Sequence, residues 1–379
     1  MAALTRITEG GRELATMPWA DSPFEPSSSL VNVIFEFPVR SLTFETRQGD
    51  RIETELPDRN DLAPLQGRPV IYLDQNHWSA MAKAIHEPER LPQEERSAAE
   101  ELIELARQRR VIMPLSMGHV GETGQWRNSD RRYRLALTML DLSKGWQLCD
   151  VDALRRAELQ RSLAVALRCS LPPAPAPVTL QPGAMSARSV ERYQPGAEFD
   201  EELAFAMAAL TETFATFDQM LDDVAIRRPP VPGWVERNQR ITREIASGVA
   251  HARSLRRAVT LEAFRRDLPH ELASAAAGLD VAPEDVGRWL RDLNEEQITS
   301  MPSLAIYREL LHEKLSDPGT VWEDNDLDDM MYLSCGAAYA DHVVGERRLT
   351  SDLRHGLERL GRPVNVYRRL ADLIPMLAC

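Results

Sequence analysis

The chain has 379 residues, 43% of them hydrophobic and 27% charged, with a formal net charge of −13 at pH 7. That length accommodates one large domain or two to three modest ones. The acidic balance argues against a protein that coats nucleic acid non-specifically, because phosphate neutralisation needs clustered Lys and Arg; it is compatible with a local basic patch or with a site that gathers carboxylates around cations.

Residues 1–66 read as a small β-rich segment. VNVIFEF (31–37) and SLTFETR (41–47) alternate apolar and polar residues, and RIETELP (51–57) follows the turn-like QGD. At Pro69 the pattern changes. Val70 to Leu73 is a short apolar strand that stops at Asp74, and HWSAMAKAI reads as a helix. In LPQEERSAAEELIELARQRR, Ala99, Leu102, Ile103 and Ala106 share one face of a helix; Pro92 and the acids after it suit its start, and the arginines suit its end. Val111 to Leu115 reads as a second buried strand, which implies a right-handed parallel crossover from the first. A helix capped by Ser116, another ended by Gly145 and a third strand in WQLCD complete residues 67–150.

Residues 151–319 read as a helical insertion broken by LPPAPAPVTLQPG (171–183) and RPPVPGW (228–234), whose prolines remove helix donors. In residues 320–379 the strand-and-helix pattern returns: a helix in DLDDMMYLSCGAAYA, a strand in HVVG, a helix in SDLRHGLERLG, a strand in PVNVY and a last helix in RRLADLIPML. The four cysteines form no CxxC pair and read as reduced, mostly buried thiols. With no bilayer-length apolar run and no secretory leader pattern, the expectation is a soluble, cytoplasmic chain with no membrane partner.

Several acids stand where a site would need them. Ligands of open α/β sheets bind at the carboxyl ends of strands, and Asp74 ends the first strand. Glu122 lies one or two helical turns past the second. Asp326 and Asp329 share a face at the head of a helix, and Glu346 follows the VVG strand. If the strands are parallel, these acids meet at one edge. Crowded carboxylates repel one another, and Mg²⁺ or Mn²⁺, which take oxygen ligands, relieve that repulsion and support phosphodiester cleavage.

YLDQNHW (72–78), PLSMGHVGET (114–123) and DNDLDDMMYLSCGAAYADHVVGERRL (324–349) together resemble the motifs of PIN-like nucleases. The resemblance covers about 67–150 and 320–379. It implies an α/β fold with a parallel sheet of order 3-2-1-4-5 flanked by helices, here with the long insertion and the N-terminal β segment added. It implies a metal-dependent endonuclease, most often acting on RNA, with Asp74, Glu122 and Asp329 as catalytic acids. Asp326 and Glu346 are further metal ligands in this reading, and Asn76 steadies Asp74. The family's usual Thr and Asp in the fourth-strand motif are Gly345 and Glu346 here.

Arg127 and Arg131 follow Glu122 closely and would grip phosphates if Glu122 lies in the site. His119 and Glu122 are three apart, but no HExxH pattern is present, so His119 reads as a buried or supporting residue. Trp78 and Trp126 read as core. A P-loop and a dinucleotide-binding turn are excluded by the missing glycine motifs. Asn76 excludes a haloacid-dehalogenase-like site, which needs Asp there. The remaining alternative is a catalytically inactive PIN-like module that binds RNA or protein, with the insertion as a surface for an inhibitor or partner.

Overall fold

The computed structural model describes residues 2–8, 11–17, 29–56, 65, 67–186, 201–221, 231–249 and 253–377; residues 228–230 of the second proline-rich stretch lie outside these. In chain order the strands are β1 (Ala2–Thr8), β2 (Gly11–Met17), β3 (Leu30–Glu36), β4 (Ser41–Thr46), β5 (Arg51–Glu55), β6 (Ile71–Leu73), β7 (Gln147–Leu148), β8 (Val178–Thr179), β9 (His342–Val344) and β10 (Val366–Tyr367). The helices are α1 (Gln75–His86), α2 (Gln93–Arg107), α3 (Met117–Gly124), α4 (Ser129–Ser143), α5 (Val151–Leu167), α6 (Glu201–Leu221), α7 (Trp234–Glu244), α8 (Arg253–Asp267), α9 (Pro269–Ala276), α10 (Pro283–Asp292), α11 (Glu295–Thr299), α12 (Pro302–Ser316), α13 (Asp326–Tyr339), α14 (Arg347–Arg359) and α15 (Leu370–Leu377). Among the described residues, no helix is long and apolar enough to cross a membrane.

The chain divides into two compact units. The first comprises Met1–Asp150, Val178–Arg227 and Arg369–Cys379; the second comprises Val151–Pro177 and Arg228–Arg368.

In the first unit, β3, β4 and β5 form an antiparallel meander, extended by β1 parallel to β3 and by β2 antiparallel to β1. The alternation of VNVIFEF and SLTFETR becomes a two-residue burial rhythm, with Val33, Phe35, Leu42, Phe44 and Ile52 facing inward. Phe44 meets Phe214 of α6 edge-on, with ring centroids 5.7 Å apart. The helix expected from the Ala99–Ala106 stripe is α2, and those residues are buried. Between α4 and β7, Lys144 is left-handed at φ 52° and Gly145 has φ 85°. Gly145 tolerates that turn because it has no Cβ, and the buried Lys144 ammonium pairs with Glu53 and Asp141.

The expectation of one parallel sheet of order 3-2-1-4-5 is corrected by this structure. Among the described residues no parallel sheet exceeds three strands, and the strands assigned to it are two or three residues long. β9 and β10 pair in parallel, with Val366 opposite Val343 and Tyr367 opposite Val344. Val111 to Leu115 makes isolated bridges instead of a strand, Ile112 with Val70 and Leu115 with Gln147. The reason lies in the run itself. Pro114 has no N–H to donate and interrupts the ladder.

The second unit is built around α12, whose residues from Ser303 to His312 are all buried. A helix apolar on one face only would leave a side in water; α12 is instead enclosed by α5, α7, α8, α11, α13 and α14. Its polar residues therefore need internal partners. Glu309 is 0% exposed and is bridged by Arg257 of α8 and Arg359 of α14 at 2.8 and 2.6 Å, and by its neighbour Arg308 at 2.7 Å. Burial alone would raise its carboxyl pKa; Arg308, Arg359 and Arg257 outweigh that and hold it below the ordinary range. The Glu158 carboxylate of α5 accepts hydrogen bonds from the Ser303 and Leu304 N–H groups at 2.7 and 3.1 Å, which satisfies orphan donors at the start of α12. α14 approaches α12 at Gly356, where an added Cβ would come 2.8 Å from Glu309 Cβ.

Candidate functional site

In the first unit the site begins at β6. Ile71, Tyr72 and Leu73 are all buried, and the chain passes directly into α1 with Asp74 as its N-cap. Asp74 is extended (φ −70°, ψ 156°), and Asp74 Oδ1 accepts the Gln75 N–H at 2.7 Å. An aspartate suits this place on local grounds alone, since its carboxylate satisfies a helix-start donor and faces the positive end of the helix. Asp74 is partly exposed, Gln75 is buried and Asn76 is exposed.

The second acid of this unit, Glu122, is exposed on α3. Three polar contacts tie α3 to the end of β6 and the start of α1. His119 Nε2 meets the Leu73 carbonyl at 2.8 Å, Gln75 Nε2 donates to Thr123 Oγ1 at 2.9 Å, and the Tyr72 hydroxyl lies 3.4 Å from Ser116 Oγ. His119 and Thr123 are one helical turn apart and face inward; Glu122 sits beside them with its side chain in solvent. Burial pushes His119 down to about 4, against the Leu73 contact that favours its proton. His119 is therefore neutral at pH 7.

Arg127 and Arg131 are exposed, Arg127 just past α3 and Arg131 in the first turn of α4. Asn128 caps that helix by accepting the Arg131 N–H at 2.9 Å, which leaves the position of residue 131 set by its backbone. Arg132 turns inward, where Nη1 donates to the Trp126 carbonyl at 2.9 Å.

In the second unit, Asp326 and Asp329 stand in the first turn of α13. Asp326 Oδ1 forms an ion pair with Lys314 of α12, and Oδ2 accepts the Glu323 N–H at 2.7 Å. Lys314 also lies over the Trp322 ring, 5.0 Å from its centroid. Asp329 Oδ2 accepts from Asn325 Nδ2 at 3.0 Å. Glu346 is exposed and is the N-cap of α14, so it follows β9 as Asp74 follows β6.

Mg²⁺ and Mn²⁺ take carboxylate oxygens. The donor chemistry of Asp74, Glu122, Asp329 and Glu346 fits such an ion. Asp326 does not, because its two oxygens are engaged by an ammonium and a backbone N–H. Among the described residues, no three His, Cys, Asp or Glu side chains stand close enough together to hold a metal ion.

His119, Gln75 and Thr123 were not among the site residues expected from the sequence, and neither was Lys314. One signal was present: Ser116 and His119 have the spacing of a helix capping box, in which the third helical residue reaches back to the cap. The identity of the partners across β6 and α3 had no local signal. No family model, curated protein or solved structure matches the chain.

Proposed function

We propose that the chain is a metal-dependent endonuclease that hydrolyses phosphodiester bonds in RNA. Asp74 and Glu122 are the carboxylates of the first unit that take Mg²⁺ or Mn²⁺. Asp329 and Glu346 are the acids of the second unit open to the same role. The observation that supports this reading most is the end of β6. A wholly buried strand delivers a partly exposed carboxylate, and buried polar contacts fix the surrounding backbone to the helix that carries Glu122.

When bound, the metal would polarise a phosphate oxygen and lower the pKa of water. The chain's own part is positional. The Gln75 N–H holds one Asp74 oxygen, the β6–α3 contacts hold the strand tip, and the exposed Arg127 and Arg131 offer guanidinium forks to phosphates along the strand.

The test is cleavage of end-labelled single-stranded RNA by the full chain with Mn²⁺, with Mg²⁺ and with a chelator. Cleavage should require metal and fall on the order of 10²–10³-fold in Asp74→Asn, while the circular dichroism spectrum stays that of the native protein. Metal-independent cleavage, or an Asp74→Asn protein as active as the native one, would overturn the reading.

The second reading is a catalytically inactive module that binds RNA or protein. It is favoured by the neutralisation of Asp326 by Lys314 and by the lack of a three-residue metal cluster among the described residues. Retention of RNA without cleavage under all three conditions would select it.

A further inference from the structure

We propose that the seam between α12 and α14 is a proton-operated latch: Asp352 closes it when its carboxyl is neutral and loosens it when the carboxylate is charged. The latch lies wholly in the second unit and is independent of the proposed cleavage.

Arg348, Asp352, His355 and Arg359 share one face of α14, since steps of three and four residues keep to a helix face. Opposite them, Glu309 and Glu313 are one turn apart on α12, and Asp317 is its C-cap. The two rows meet in antiparallel order. Arg359 Nε lies 2.6 Å from Glu309 Oε2 and Arg359 Nη1 2.5 Å from Glu313 Oε1, while Arg348 Nη2 lies 3.2 Å from Asp317 Oδ2. His355 Nδ1 is 3.6 Å from Glu313 Oε2, a contact that is ionic only when the ring is protonated. Basic residues of α14 thus face acids of α12 at each step but one. At Asp352, between the Arg348–Asp317 and His355–Glu313 contacts, an acid faces acids. Gly356, one turn beyond Asp352, brings the helices so close that an added Cβ would stand 2.8 Å from Glu309 Cβ. The rows therefore separate only if α14 itself moves.

The charged groups around Asp352 are Glu313 from α12, Asp317 from its cap, and Arg348 and His355 from α14 itself. β10 also packs on α14, on the side of Arg354, which donates to the Val366 carbonyl at 2.7 Å. Burial and then the charge of Glu313 push the Asp352 carboxyl up to about 6; Asp317 adds to this, and Arg348 and His355 oppose it. An ordinary aspartic acid loses its proton near 3.8. From 3.8 to about 6 the folded chain therefore holds a proton that the unfolded chain has lost. The stabilisation from this proton is complete below 3.8 and is lost as pH rises through about 6. That direction is opposite to the one set by the buried His312, whose stabilisation is lost in acid. The Arg348 end of the seam also holds the segment that leads into α13. Arg348 Nη2 donates to Thr320 Oγ1 at 2.8 Å, and Trp322 Nε1 donates to Thr242 Oγ1 of α7 at 2.9 Å. Loosening the seam at this end frees the start of α14 and the approach to α13 together.

The experiment compares amide hydrogen exchange, corrected for the intrinsic rate at each pH, in the full native chain and in Asp352→Asn at pH 5 and pH 7.5. Asn has the shape of the neutral acid and keeps the seam closed at every pH. Comparing the two proteins at one pH cancels the titration of the histidines, which both retain. At pH 5 the α14 amides should be equally protected in both. At pH 7.5 their protection should be about two- to fivefold lower in the native chain, with α2 of the first unit protected alike in both. In parallel, a carbon-13 titration of the native carboxyls should place the Asp352 midpoint near about 6. No α14 difference at pH 7.5, a difference of the same size at both pH values, or one shared equally by α2 would overturn the latch. Greater α14 protection in the native chain at pH 7.5 would also overturn it, since the charged carboxylate would then be holding the seam. If Asp352→Asn does not fold, the titration decides: a midpoint at or below the ordinary 3.8 overturns the latch.

Discussion

The two units present the same local arrangement, a short strand followed by an acid that caps the next helix, in different settings. In the first, β6 ends at Asp74, and the polar groups around the strand tip are neutral: an imidazole, an amide, hydroxyls and backbone groups. In the second, β9 ends at Val344 and Glu346 follows after one intervening residue, while at the far end of α14 the half-buried Arg359 joins an ionic core by reaching the buried Glu309 of α12. The difference shows what strand-tip geometry alone leaves undecided. Asp74 has a side-chain hydrogen bond to its own helix and fixed neighbours, whereas Glu346 is exposed and makes no side-chain cap bond. Position on a strand brings an acid to an edge; the packing behind it decides whether it stays in one place.

The largest expected effect is on stability in the second unit. Glu309→Ala leaves Arg257, Arg308 and Arg359 without their common anion, and breaking a buried ion pair in this way costs about 3–5 kcal/mol. Chemical unfolding of the full chain should show this loss, and a change below about 1 kcal/mol would remove the ionic core from the comparison. For cleavage, Asp74→Asn should cost on the order of 10²–10³-fold, as loss of one preorganised electrostatic group does. Glu346→Gln should cost about tenfold or less. Equal losses would show that the fixed setting of Asp74 confers no advantage.

Gly356→Ala comes next. Its Cβ would stand 2.8 Å from Glu309 Cβ, so α14 has to move off α12 at about 1–3 kcal/mol, with cleavage changed less than stability. Acid sharpens the comparison differently. Burial pushes His119 in the first unit and His312 in the second down to about 4, and for His312 the nearby Arg257 and Arg359 push the same way. Above pH 6.5 both rings are neutral folded or unfolded. As pH falls from 6.5 to about 4 only the unfolded chain takes up these protons, so stability declines through that window. His312→Gln should flatten part of the decline in a series of unfolding measurements across it. The smallest effect is expected from Arg127→Ala combined with Arg131→Ala: a several-fold rise in KM for RNA with kcat and melting temperature unchanged.

Much of the local structure is legible in the sequence. The alternation of Val31 to Thr46, the helical stripe from Ala99 to Ala106, the cap at Ser116 and the acidic head of α13 each correspond to an element in the structure. Each depends on neighbours within a few residues, where propensity and periodicity act. The extended parallel sheet was misread because an apolar run carries no mark of whether its donors will pair. Val111 to Leu115 has the composition of a strand, yet with Pro114 inside it only two residues bridge. The acids were visible one by one, but their partners were not. Nothing near Asp326 in the chain points to Lys314, twelve residues away on another helix.

The sequence by itself determined the strand alternation of Val31 to Thr46, the buried stripe of α2, the cap at Ser116 and that Asp74 and Glu346 stand just past strand ends, because these follow from side-chain pattern and backbone chemistry over short spans. Tertiary structure alone decided that His119 faces Leu73, that Lys314 neutralises Asp326 and that Glu309 collects three arginines. The physical reason is that a buried polar group takes whichever partner the packing of distant elements brings within about 3 Å, and that distance is a property of the folded core.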